Sequence, residues 1–349
     1  MDFKKYNNLV ELFFEQYQKQ DKGKIFLSSL KDPKKNFSWG DVKLIVSLLA
    51  NEISKIIDNG DRCLLISENR PEWMISDLSI MLAGGITVPA YTTYVSRDYE
   101  YIINDCSPSI VIVSNDEQFN KVKNICERTS SIKKIFSFEK LTGIDLNTYF
   151  NVENLIENQN QNEEIKLETN AKRSDPACII YTSGTQGNPK GVILSHGGIL
   201  SNCEGGYELL KPILEKETRF LTWLPLSHSY EHAVQFIQIA VGGKVYYAES
   251  IDKLIKNMSE CSPHIMTAVP RFYQNLHQKI SSTFKKATGL KKNMVDNTLK
   301  LGAKKFKKQA MSLSEKFMNF IVEKLVRKKI KKQFGGRDRK STRLNSSHR

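Results

Sequence analysis

Within ten consecutive residues, Thr182–Gly191, the chain holds three glycines (Gly184, Gly187, Gly191), three hydroxyls (Thr182, Ser183, Thr185) and one cation, Lys190. Glycines let a backbone approach an anion closely and turn successive N–H groups toward it, hydroxyls add donors, and lysine adds a mobile positive charge. These residue types at this density point to a cradle for phosphate. A plain Gly-rich surface turn has no need of Pro189-Lys190-Gly191 after Ser183-Gly184-Thr185. The flanking stretches Ala177–Tyr181 and Val192–Ser195 read as strands, which makes the loop the tip of a hairpin. A Walker loop would end in Gly-Lys-Ser/Thr, whereas here Gly191 follows Lys190, and no G-x-G-x-x-G occurs. P-loop NTPases and nicotinamide dehydrogenases are therefore excluded.

A second constellation follows, Leu224-Pro225-Leu226-Ser227-His228-Ser229-Tyr230-Glu231-His232. His228, Glu231 and His232 have the spacing of an inverted zincin site, in which two histidines one helical turn apart bind zinc and the glutamate is the base. A zinc peptidase is thus one reading. It requires those residues inside a helix with a third ligand downstream, yet Pro225 lets a helix only begin there, and a phosphate loop has no role in such an enzyme.

Taken together, the two motifs resemble those of the adenylate-forming superfamily, which includes acyl-CoA synthetases, luciferases and peptide-synthetase adenylation domains. Gln186 departs from the loop signature, standing where that family has a second threonine: it keeps a donor and loses a hydroxyl. Leu224–His228 is similar to the Leu-Pro-Leu-x-His motif that follows the loop in acyl-CoA synthetases. Ser67-Glu68-Asn69-Arg70-Pro71-Glu72-Trp73 and Val88-Pro89-Ala90-Tyr91-Thr92-Thr93-Tyr94 resemble the amino-terminal region of the long-chain enzymes. Val269-Pro270-Arg271-Phe272-Tyr273, with Leu276, is similar to a segment of the same branch.

The resemblance implies the amino-terminal portion of a long-chain fatty-acid–CoA ligase. In that chemistry a fatty carboxylate attacks the α-phosphate of ATP, pyrophosphate leaves, and the acyl group passes from AMP to the thiol of coenzyme A. It implies that Thr182, Ser183, Gly184, Thr185, Gln186, Gly187, Lys190 and Gly191 clamp the β- and γ-phosphates. It assigns His228 to orienting the adenylate and the carboxylate, as the catalytic residue. Mg2+ is expected to arrive with the triphosphate, with no metal ligand in this chain. An aryl- or short-chain-CoA ligase is the alternative within the family. Asn69, Glu72 and Trp73 are read as structural, since strand-to-helix turns need capping groups.

The elements that must position these residues alternate in type. Leu9, Leu12, Phe13 and Tyr17 recur at helical spacing over 7–20, and Val42, Ile45, Leu48, Leu49 and Ile53 over 40–57. From Gly60 the pattern becomes strand Cys63–Ile66, turn Ser67–Pro71, helix Glu72–Ala83 and strand Ile86–Val88 ended by Pro89. Helix Arg97–Asp105, strand Ile110–Val113, helix Glu117–Glu127 and strand Lys134–Phe138 continue it. Continuous apolar strands alternating with helices predict an α/β fold with a doubly wound parallel sheet. Helix Gly197–Tyr207, strand Arg219–Leu224, strand Val245–Tyr247, helix Ile251–Met258 and strand Pro263–Ala268 follow. The expected divisions are a first α/β subdomain with its connection (1–174, the polar stretch 151–174 being exposed), a second with the phosphate loop (175–278), a basic helical insertion (279–337) and a tail (338–349).

Composition bounds the rest. With 349 residues, 40% hydrophobic and 9% aromatic, the chain can bury a large core. The six cysteines lie far apart with no C-x-x-C and read as buried thiols of a cytosolic protein, neither a disulfide frame nor a zinc site. No secretory signal and no run of eighteen apolar residues is found. The formal charge of +14 belongs to one segment, because residues 279–337 hold eighteen Lys/Arg against three acids while residues 1–278 are net acidic. That segment, with Phe306, Ala310, Leu313, Phe317, Phe320, Ile321 and Leu325 at helical spacing, reads as a pair of amphipathic helices with a cationic face. A solvated face is one reading and attraction to anionic membrane lipid another. Nucleic acid is not expected, since no stacking platform or known module is present. Asp338–His348 resembles a one-frame translation of a sequencing adapter and is expected to be a non-native tail. The authentic sequence is then expected to stop near Arg337, before the family's adenine-binding and carboxy-terminal catalytic elements.

Overall fold

Alternating apolar strands cannot cover themselves, and in the computed structural model they are covered by helices. Residues 1–144, 149–157, 168–182, 189–286 and 288–336 are described. The chain divides into two units, Met1–Tyr247 and Ala248–Arg349.

The first unit runs α1 (Leu9–Lys19), β1 (Ile25–Ser29), β2 (Asn36–Ser38), α2 (Trp39–Ser54), β3 (Arg62–Ile66), α3 (Pro71–Leu82), β4 (Ile86–Ala90), α4 (Ser96–Cys106), β5 (Ile110–Val113), α5 (Asp116–Arg128), β6 (Lys134–Ser137), β7 (Tyr149–Asn151), α6 (Val152–Glu157), β8 (Pro176–Thr182), β9 (Lys190–Ser195), α7 (His196–Leu210), β10 (Arg219–Thr222), α8 (Ser229–Val241) and β11 (Lys244–Tyr247). A seven-stranded sheet has the order β7-β6-β5-β3-β4-β8-β9, all neighbours parallel except the β8–β9 hairpin. It is built from both sides of residue 174. The chain leaves β3 to one side for β4 and returns to its other side for β5, so the sheet is doubly wound with its switch point between β3 and β5. A smaller sheet holds β10, β11 and β1 in parallel and β2 antiparallel.

Local chemistry sets the ends of these elements. Ser38 and Asp41 form a capping box at the start of α2, Asn8 caps α1 and Asn115 caps α5. Gly242, at φ 68°, ends α8 in the left-handed region and frees the chain to turn into β11. Strands β3 and β5 are wholly apolar at their centres, and α3 is buried along its entire length between layers. Trp39 stacks on Phe26 at 3.8 Å between ring centroids, at the heart of the core.

Two expectations need correction. Pro89 does not end β4 but lies inside it, opposite Leu65; the β4–β8 ladder pairs Thr87 with Cys178, two residues before the proline, so the missing N–H falls outside that pairing. The stretch from residue 151 is not all exposed connection: β7 adds a strand to the sheet edge, with Asn151 buried, and α6 follows. Residues 158–167 lie outside the described residues.

The second unit is helical: α9 (Leu254–Cys261), a short strand β12 (Ile265–Met266), α10 (Pro270–Lys285), α11 (Gly289–Phe306), α12 (Leu313–Val322), a π-helical turn Glu323–Arg327 and α13 (Lys328–Gln333). The expected helix pair is thus four helices with a π-turn, and the strand expected over Pro263–Ala268 is two residues long. All six cysteines are buried thiols. Among the described residues, no helix is long and apolar enough to cross a membrane. The tail 338–349 lies outside them.

Candidate active site at the carboxyl ends of the strands

Strand β8 runs parallel to β4, so its last residues, Tyr181 and Thr182, emerge at the same sheet edge as the turns that follow β3 and β4. In doubly wound sheets the carboxyl edge of the strands is where ligands bind. The hairpin register pairs Thr182 with Lys190 and Tyr181 with Gly191, so both ends of the Gly-rich loop are held one strand spacing apart. Thr182, Lys190 and Gly191 are exposed. Ser183, Gly184, Thr185, Gln186 and Gly187 lie outside the described residues.

The stem of this hairpin is held from several sides. Tyr181 lays its ring across Gly191: a Cβ there would sit 2.9 Å from Ile179 Cγ2 and 3.2 Å from Tyr181 Cζ. Glycine is therefore required at 191 for packing of the stem. The Tyr181 hydroxyl donates to Asp105 Oδ2 at the end of α4; burial, then that bond, pushes the phenol well above its ordinary range. At the base, Ser195 caps α7, and the buried His196 accepts the Leu9 N–H on Nδ1 at 3.4 Å. Burial lowers the His196 pKa to about 4, which keeps the ring neutral and able to accept. Arg173 donates to the carbonyls of Phe3 and Tyr6, tying the strand that enters the hairpin to the amino-terminal segment.

The second motif reaches the same edge through one side chain. Asn69, in the turn after β3, donates to the Leu224 carbonyl at 2.6 Å and accepts the Leu226 N–H at 3.0 Å. It thereby clamps Leu224-Pro225-Leu226 to the switch point of the large sheet and sets where His228 stands. Sequence reasoning read Asn69 as a cap and missed this role; the signal was an amide immediately after a buried strand, opposite no obvious partner. Arg70 and Glu72 form a two-pronged pair with both contacts at 3.0 Å, and Lys35 joins Glu72 at 2.7 Å. Although burial opposes it, Arg70 and Lys35 together hold the Glu72 carboxyl below the usual range.

His228 is exposed as the N-cap of α8, its Nδ1 accepting the Tyr230 N–H at 3.2 Å. Nε2 is left facing away from that bond. His232, one turn on, is buried with Nε2 2.8 Å from Asp77 Oδ2, and Gln235 donates to the same oxygen at 2.9 Å. Desolvation would lower its pKa, but the adjacent Asp77 outweighs this and raises it to about 10. One imidazole faces solvent and the other is engaged in the core, so they do not offer two free nitrogens to one ion. The zinc-peptidase reading fails on this geometry, and among the described residues no three His, Cys, Asp or Glu side chains gather around a metal position.

Comparison with known proteins agrees with the geometry. The family model described as AMP-binding enzyme matches residues 13–332. The chain is 29% identical over 288 residues to fatty acyl-CoA synthetase A of Dictyostelium discoideum, covering 80% of this chain and 42% of that protein. It is 28% identical over 290 residues to long-chain-fatty-acid–CoA ligase 5 of Rattus norvegicus, covering 79% and 41%. The chain thus spans less than half the length of these curated relatives. ATP-bound MatB from Rhodopseudomonas palustris superposes with a TM-score of 0.63 at 21% identity, over 78% of this chain and 51% of that one, which supports the fold. With the hairpin, the clamped Leu224–His228 segment and a match spanning most of its length, the chain belongs to the AMP-binding enzyme family.

Proposed function

We propose that this chain is the ATP-gripping part of a long-chain fatty-acid–CoA ligase acting in the cytoplasm. The observation that carries the reading is the convergence of the Thr182–Lys190 hairpin mouth and the Asn69-clamped Leu224–His228 segment on the carboxyl edge of the strands. Two relatives named as fatty acyl-CoA or long-chain-fatty-acid–CoA ligases support the choice of acid. Catalysis of acyl-adenylate formation is mostly positioning and charge stabilisation. In this reading Lys190 and the loop donors neutralise the β- and γ-phosphates, so pyrophosphate leaves as the fatty carboxylate takes the α-phosphorus. His228, pinned through Nδ1, offers Nε2 to orient the carboxylate and the adenylate. Mg2+ would enter with the triphosphate and offset its charge; residues 181–191 carry no carboxylate, so the chain's own contribution there is Lys190 and the hydroxyls. Coenzyme A would take the acyl group in the second half-reaction.

The test is competition binding. A fluorescent ATP analogue on the 349-residue chain should be displaced by a non-hydrolysable palmitoyl-adenylate mimic at least about tenfold better than by a benzoyl or acetyl one. Lys190→Ala should weaken ATP by about 1–3 kcal/mol, the range for losing a charged hydrogen bond. Preferential displacement by the benzoyl mimic would instead favour an aryl-CoA ligase. Because the chain covers less than half of its relatives, palmitate-dependent ATP–pyrophosphate exchange by these residues alone is expected at background.

A further inference from the structure

In the α11–α12 hairpin of the basic segment, charged side chains bond across the pair while Phe306, Phe317 and Phe320 face outward. Helices α11 and α12 are joined by residues 307–312 and held by Lys304 to Glu315 at 2.5 Å. Arg327 adds contacts to Asn319 Oδ1 at 2.8 Å, Glu323 at 3.0 Å and the Thr298 carbonyl at 3.2 Å. Leu301 and Val322 are buried within the same unit. Leu313, Phe317 and Phe320, at i, i+4 and i+7, form one face of α12 that is exposed; Phe317 and Phe320 stand at 68% and 64%. Phe306, at the end of α11 and next to the connecting turn, is 90% exposed. Lysines shoulder this ridge: Lys316 and Lys324 on α12 and its π-turn, Lys307 and Lys308 in the connection, all exposed.

We infer that the α11–α12 helical hairpin docks on an anionic lipid surface, with Leu313, Phe317 and Phe320 entering the acyl boundary and the flanking lysines on the headgroups. The argument is charge complementarity coupled to an uncovered apolar face. Residues 279–337 carry eighteen Lys/Arg against three acids, and two of those acids, Glu315 and Glu323, are already paired with Lys304 and Arg327. Lys331 also reaches Glu323, at 4.0 Å, and three acids leave most of the eighteen cations in excess. A second copy of this chain would bring two such segments face to face in repulsion. A nucleic acid would take the lysines but offers nothing to a helix face of Leu and Phe. An anionic bilayer surface satisfies both at once, which is the pattern of an interfacial amphipathic helix. The inference does not depend on the ligase reading.

The experiment is cosedimentation of the 349-residue chain with phosphatidylcholine vesicles, with and without about 30 mol% phosphatidylserine. Binding is expected to the anionic vesicles, to fall at least about tenfold in Phe317→Ser/Phe320→Ser, and to fall in about 0.5 M NaCl. Both rings are exposed, so the double variant should keep its far-UV spectrum and melting temperature. Phe317→Trp gives an independent readout: its emission should shift to the blue on anionic vesicles alone. Equal sedimentation with and without phosphatidylserine would overturn the inference. So would an unshifted tryptophan, or a Phe-dependent dimer on a sizing column that ignores vesicles.

Discussion

The two units of this chain solve the burial problem in opposite ways. In Met1–Tyr247, apolar side chains go inside and even the charged ones that follow them are paired there: Glu72 lies between Arg70 and Lys35, and Asp77 holds both His232 and Gln235. In the helical unit, charge pairs clasp the inside while Phe306, Leu313, Phe317 and Phe320 face out. The difference teaches where each unit's interaction energy is available. The sheet unit puts most of its apolar surface into its own core, the edge strand β9 with its exposed Val192 and Ile193 apart. The helical unit keeps apolar surface for something else.

The most direct way to break this comparison is to unpair a buried charge. Asp77→Ala takes from the buried His232 and Gln235 their shared acceptor and should destabilise the chain by about 3–5 kcal/mol, read as a shift in urea midpoint. A change under about 1 kcal/mol would mean that the sheet unit tolerates buried charge as readily as the helical unit tolerates exposed rings. The pH dependence sharpens the same point. His196 is neutral in the fold, with its pKa depressed to about 4 by burial, so its contribution is complete above the unfolded value near 6.5 and is lost as pH falls toward 4. Over that window, stability should drop by up to about 3 kcal/mol, and His196→Gln should flatten the curve. His232 has the opposite sign: raised to about 10 by Asp77, its pairing is fully stabilising below about 6.5 and fades as pH rises through 10.

Smaller effects are expected at the site itself. Gly191→Ala should cost about 1–3 kcal/mol, because its Cβ meets Ile179 and Tyr181 at overpacked distances. Asn69→Ala removes both bonds to the Leu224–Leu226 segment; about 1–3 kcal/mol of stability and a weaker grip on the adenylate mimic should go together, measured by melting and by displacement. At the bottom of the scale, Phe317→Ser should change stability by no more than about 0.5 kcal/mol while removing vesicle binding. A large loss of stability there would show that the ring is part of a core after all.

Much of this was readable before the fold was known, and for a local reason. The period of apolar residues placed α1, α2, β3, β5 and α5 to within two or three residues, because each element writes its buried face into its own segment. The hairpin was legible from two apolar runs around a Gly-rich loop, and its observed register, Thr182 opposite Lys190, matches that expectation. The strand β7 was not legible: three residues embedded in a polar stretch carry no period, and only the free edge of β6 makes them a strand. Pro89 inside β4 likewise depends on where its neighbour β8 pairs.

What the sequence determined by itself was the inventory: a phosphate-type loop, an α/β alternation, a histidine pair and a basic segment studded with rings. Which histidine faces solvent was decided only by tertiary structure, because His228 and His232 are chemically alike and differ by the presence of Asp77, contributed from α3 155 residues earlier in the chain. Asn69 reaches Leu224 and Leu226 across a similar separation. Side-chain period and turn chemistry act over a few residues, whereas the pairing of a buried charge or the clamping of a loop depends on which distant segments the two sheets bring together.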